Sequence, residues 1–150
     1  MKIEDLSQAL VEAGKRFDPV VVTAFEESMA YLLTFVDGTT VTIERDENRR
    51  VLVFVGHLGE TPAGRESAIS DLLMSMNALW AQLGGLRFGR GPDGTFLLFW
   101  DLPYDPLDTE GFVAMTGSFA ERTSFWRLVV LEGKAADGDQ LDTSDDIIRA

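Results

Sequence analysis

The chain has 150 residues, 25 acidic and 13 basic side chains, one His, no Cys and a formal charge of −12. That length suits one domain able to close its own core. The absent Cys excludes disulfide frameworks, thiolate metal sites and Cys nucleophiles, and one His cannot build a multi-His metal centre. The negative charge disfavours phosphate backbones and anionic lipid, so neither nucleic acid nor a membrane is an expected partner.

The hydrophobic fraction of 45% belongs to a globular protein rather than a disordered acidic chain. Acidic residues follow Met1 where a signal peptide would be apolar, and no apolar run approaches the ~20 residues of a membrane span. A cytoplasmic location is expected.

Ile3, Leu6, Leu10 and Ala13 fall at helical spacing, with Gly14 as a stop. Phe17 to Val22, interrupted by Pro19, reads as an irregular connection or a short extended piece. Three strands follow: Ser28 to Val36, closed by Asp37-Gly38; Thr40 to Glu44, alternating; and Val51 to Val55, apolar at every position. A strand of that last kind is expected to be covered on both faces. Arg65 to Leu83 carries the stripe Ile69, Leu72, Leu73, Met76, Leu79, Trp80 and Leu83, a helix of about 28 Å. A second hairpin pairs Leu86 to Phe88 with Phe96 to Trp100. Asp108 then caps a last helix bearing Phe112, Met115, Phe119, Trp126 and Val129. The order α-β-β-β-α-β-β-α describes an α+β domain with a mostly antiparallel twisted sheet packed by helices. The domain is expected over residues 1–132, with an acidic flexible tail over 133–150. Residues 132–150 hold six acidic and two basic side chains, which is −4 of the −12 and leaves −8 for the rest.

Catalytic and ligand motifs are weak. His57 has no nucleophile marked beside it and reads as a loop-edge residue. Gly89 to Gly94 spells G-x-G-x-x-G, but a strand follows where dinucleotide binding needs a helix N-terminus, so it reads as a hairpin turn. Glu44, Asp46 and Glu47 read as a solvated turn rather than a cation site. Asp137 and Asp139 begin an EF-hand-like pattern that lacks its Gly and its final Glu. No catalytic residue, metal or cofactor is expected. What stands out is apolar surface beyond the needs of one small sheet, which points to a protein partner.

Several motifs in order resemble the class I type III secretion chaperones, the Tir chaperone (CesT) family. They are the helix with Leu6 and Leu10, Val36-Asp37-Gly38, and Val41-Thr42-Ile43-Glu44-Arg45-Asp46. Next come Val51 to Val55 leading to Leu58-Gly59-Glu60-Thr61-Pro62, and Leu83-Gly84-Gly85-Leu86-Arg87-Phe88-Gly89. Asp93-Gly94-Thr95-Phe96-Leu97-Leu98, Asp101-Leu102-Pro103, and the last helix with Phe119 and Trp126 complete the set. The resemblance covers residues 2–132. It implies a non-enzymatic homodimer that binds the extended N-terminal segment of a secreted effector and meets the secretion apparatus, including its ATPase. Carried over, the dimer interface would use Leu72, Met76, Leu79, Trp80, Leu83, Leu86 and Phe88. The client would meet Leu6, Leu10, Leu32, Leu33 and Phe35. Two other readings remain open. One is a small-molecule-binding or lyase domain of the helix-grip or cone type, with His57, Tyr31 and Tyr104 as candidate polar groups. The other is an adaptor of the same fold with no secretion role.

Overall fold

The structure, a computed structural model, describes residues 5–17, 21–25 and 30–133. The expected tail, including Asp137 and Asp139, lies outside the described residues, apart from Gly133. The elements are α1 (Leu6–Arg16), β1 (Val21–Phe25), β2 (Ala30–Thr34), β3 (Thr40–Asp46), β4 (Val51–Gly59), α2 (Glu66–Asn77), β5 (Arg87–Arg90), β6 (Phe96–Pro103) and α3 (Thr109–Glu132). The strands form one six-stranded antiparallel sheet in the order β1-β2-β3-β4-β6-β5.

The α+β class and antiparallel sheet are as the sequence suggests, but the order gains a strand, α-β-β-β-β-α-β-β-α. Val21 and Val22, read as the end of an irregular connection or a short extended piece, open β1, with Val21 opposite Thr34 and Phe25 opposite Ala30. Its β-branched and aromatic residues suit a pleated strand, and the hairpin to β2 supplies the partner that periodicity alone could not reveal.

The helices differ from expectation at their ends. α1 runs through Gly14 to Arg16, because Leu6, Ala9, Leu10 and Ala13 bury a full stripe that offsets the ~1 kcal/mol cost of a helical Gly. α2 stops at Asn77 rather than Leu83, so it is about 18 Å long for its twelve residues. Beyond it, Leu79 and Trp80 donate to Met76 and Asn77 carbonyls three residues back, and Gly84 and Gly85 turn the chain with φ of 69° and 88°. α3 begins where expected: the Asp108 carboxylate accepts from the Gly111 N–H at 2.7 Å. It ends at Gly133, whose φ of 64° is left-handed.

The core lies between the sheet and the helices. In β4, Leu52, Phe54, Gly56 and Leu58 are buried and the intervening residues are half-buried. Phe54 meets Phe112 and Phe119 of α3 at centroid distances of 6.2 and 5.4 Å. Gly56 allows α3 to sit directly on the strand, since a Cβ there would lie 2.3 Å from Thr123 Oγ1. The Gly89 to Gly94 segment is the β5–β6 hairpin, closed by Gly91 N–H to Thr95 O at 2.8 Å.

Candidate protein-binding surface

The alternation that buries one face of β4 and β6 leaves Val53, Val55, His57, Leu97 and Phe99 on the other. The register builds rows across this second face: Leu32 opposite Thr42, Thr42 opposite Val55, Val55 opposite Phe99, and Phe99 opposite Arg87. In the next row His57 stands opposite Leu97. The core cluster and the residues packed on it include none of Leu32, Val53, Val55, Leu97 and Phe99. An apolar strand face with no layer of the described residues over it has the character of surfaces that suit another chain.

His57 closes one end of this face. Its Nε2 lies 2.8 Å from Thr42 Oγ1. Burial pushes its pKa below the ordinary 6.5, against the opposing field of Asp93. At the other end, Asp101 binds Arg49 at 2.7 Å and Arg87 at 3.0 Å. Asp46 takes a second bond from Arg49 at 2.7 Å, and Glu47 pairs with Arg45. The carboxylates of this turn therefore hold arginines, while Glu44 is exposed beside them. The apolar face thus has a polar, cross-linked rim, as interfaces commonly do.

On the helix side, a cavity of about 370 Å³ opens between the C-terminus of α1, the β2–β3 turn and α3. Phe17, Phe35, Val36, Gly117 and Ala120 line it, with Asp37, Glu121 and Ser124 at the rim. Asp37 fixes the turn. Its Oδ1 accepts from the Thr39 N–H at 2.9 Å and its Oδ2 from the Ser124 hydroxyl at 2.8 Å. These bonds, the Thr39 N–H first, hold its carboxyl below the usual range. Val36 at the mouth is 80% exposed.

The residues expected to contact a client divide between core and surface. Leu6, Leu10 and Leu33 are buried in this chain's own core, while Leu32 and Phe35 are half-buried. Of those expected at a dimer interface, Met76, Leu83, Leu86 and Phe88 are buried within the chain. Leu72 and Leu79 are half-buried and Trp80 is 57% exposed, with Met74 more exposed still on α2. Sequence reasoning missed Val36 and Met74, which show no periodicity of their own. Val53, Val55, Leu97 and Phe99 were signalled only as apolar runs with no face assigned. Nor do the polar groups of the helix-grip reading converge. Tyr31 stands opposite Ile43, itself opposite Phe54, on the helix-covered face, and its hydroxyl meets Ser7 at 3.1 Å. His57 is on the other face, and Tyr104 is buried after β6 under the Arg50 guanidinium.

The description of the Tir chaperone protein (CesT) family matches residues 10–127. The chain belongs to that family. A comparison with curated proteins found no match. Among solved structures, a chain of the ExsC–ExsE complex aligns with a TM-score of 0.70 at 20% identity, covering 87% of this chain and 98% of that one. A chain of the HopA1–SchA chaperone–effector complex aligns at 0.63 and 13% identity, covering 85% and 98%. A chain of the ExoU–SpcU complex from the type III secretion system of Pseudomonas aeruginosa aligns at 0.53 and 17% identity, covering 87% and 98%. These likenesses carry the CesT fold. No helix among the described residues of this CesT-family chain is long and apolar enough to cross a membrane.

Proposed function

We propose that this protein is a non-enzymatic chaperone that holds the N-terminal segment of a type III secreted effector extended and ready for export. Membership of the CesT family over residues 10–127 carries the reading. The uncovered face of Leu32, Val55, Leu97 and Phe99 supports it, because an extended segment offers alternate side chains to such a face while its backbone seeks strand partners. The structural likenesses to chaperone–effector complexes agree with it. Ordering an extended client costs conformational entropy, so a broad contact area is required rather than one deep pocket. The test is co-expression with N-terminal fragments of the proteins its host secretes, followed by purification. A stable complex with one such fragment, lost on Val55→Glu with Phe99→Glu, is the expected result. A complex unchanged by the double substitution would overturn this client surface, and no complex with any fragment would overturn the function.

The working unit in this reading is a homodimer formed through α2 and the turns that follow it. Trp80, Leu79 and Leu72 supply the contact, and Met76, Leu83, Leu86 and Phe88 hold those residues in place from inside the core. Trp80→Glu should convert the dimer to a monomer in light scattering at micromolar concentration, and an unchanged mass refutes the assignment.

A further inference from the structure

The cavity on the helix side of the sheet lies apart from the proposed client face. At about 370 Å³ it is near the small end of the ~300–1,000 Å³ usual for ligand pockets, so it suits one side chain rather than a large ligand. Its wall is aromatic. Phe17 and Phe35 meet at a centroid distance of 6.3 Å. Phe17 reaches α3 because Gly117 has no side chain, and a Cβ there would lie 2.5 Å from the Phe17 ring.

The mouth is negative from three directions. Asp37 stands on the β2–β3 turn and Glu121 on α3, both exposed. α1 ends here with Phe17 as its C-cap, and the unpaired carbonyls of a helix C-terminus add partial negative charge. The cations of the last turn of α1 are already paired, Lys15 with Glu12 and Arg16 with Glu110, at 3.0 Å each. Arg127 donates to the Asp37 backbone carbonyl at 3.3 Å rather than to its carboxylate. Glu121 enters no ion pair among the described residues. The Asp37 carboxylate accepts from the Thr39 N–H and the Ser124 hydroxyl, and an ionised carboxylate has lone pairs for more than two bonds.

An aromatic pocket with an anionic mouth is complementary to a side chain that is apolar along its stem and positive at its tip, as lysine and arginine are. Val36, 80% exposed at the mouth, offers an apolar landing for the residues that flank such a side chain, which a free amine could not use. We infer that this cavity is a recognition pocket for an arginine or lysine side chain of a protein partner, its stem against Phe17 and Phe35 and its charged tip at Asp37 and Glu121. The inference does not depend on the effector reading.

The test is an NMR titration of the isotope-labelled chain, at physiological salt, with the peptide acetyl-Gly-Leu-Arg-Leu-Gly-amide. The Val36, Gly117 and Glu121 amides should shift, with a dissociation constant at least about threefold lower than for the same peptide with Gln in place of Arg. Acetyl-arginine amide, which lacks the flanking leucines, should bind more weakly than the peptide. Glu121→Lys should weaken the peptide by about fivefold or more. Glu132→Lys makes the same change of charge about 16 Å further along α3, beyond the ~8 Å screening length, and should leave affinity within about twofold. No shift of these amides at millimolar peptide overturns the inference. So does equal affinity for the Gln peptide or for acetyl-arginine amide. Equal weakening by Glu132→Lys also overturns it, because the attraction would then belong to the charge of the whole chain. The amide spectrum reports the fold of each variant, and if Glu121→Lys does not fold, Glu121→Gln is held to the same comparison, with weakening of about threefold expected.

Discussion

The two faces of the sheet are built from nearly the same residue types and have opposite fates. On the helix side, Leu52, Phe54 and Leu58 are sealed under α3, and Gly56 is as small as it is because Thr123 lies on it. On the other side, Val53, Val55, Leu97 and Phe99 repeat that apolar character with no helix of the described residues over them. The difference teaches that apolar composition does not decide what is core. The core is the face on which a second layer of the same chain closes, and the other face carries no such layer among the described residues.

Substitutions can break this contrast. The largest effect is expected for Phe54→Ala, at about 3–5 kcal/mol, since it empties the contact with Phe112 and Phe119. Chemical denaturation measures it, and a loss below 1 kcal/mol would mean that α3 does not seal this face. Gly56→Ala should cost about 1–3 kcal/mol through overpacking against Thr123. Thr123→Ser, which removes one of the crowding atoms, should recover part of that loss in the double variant. Val55→Glu, one position away on the opposite face, should cost about 1 kcal/mol or less. If it costs as much as Phe54→Ala, the second face is covered after all.

The smallest effect expected is that of pH. Burial disfavours the His57 imidazolium, so the folded-state pKa lies below 6.5. As pH falls through 6.5 the unfolded chain takes up the proton first. The His57 contribution is therefore favourable above that pH and declines toward pH 5. Comparing urea midpoints of wild type and His57→Gln between pH 7.5 and 5 isolates the slope, which should be shallower in the variant. An unchanged slope would place His57 in open solvent, and a steeper one beside an anion.

Much of the fold was legible because its signals are local. Asp108 and Gly133 delimit α3, Asp37-Gly38 marks the β2–β3 turn, and β3 alternates. What escaped depends on partners distant in sequence. β1 needs β2 to be recognised as a strand. α2 carries good helix formers past Asn77, and the bonds of Asn77 to Phe88, eleven residues on, only mark the place where the helix gives way to turns. The surface was legible in part. An apolar run such as Val51 to Val55 announces two apolar faces, but only the register with β6 and the position of α3 tell which one stays open. For the same reason Leu6, Leu10 and Leu33, apolar and well spaced, lie in the core rather than at the surface a partner would touch.

The β2–β3 turn has a consequence for how the molecule is made. Asp37 is tied by its side chain to Ser124 and by its carbonyl to Arg127, partners 87 and 90 residues later in the chain. A ribosome releases the β2–β3 hairpin long before α3 exists, so this turn waits unfastened while most of the domain is synthesised. The cavity between the turn and α3 comes into being only as α3 docks. A nascent chain that lacks α3 therefore has no such cavity to offer a partner.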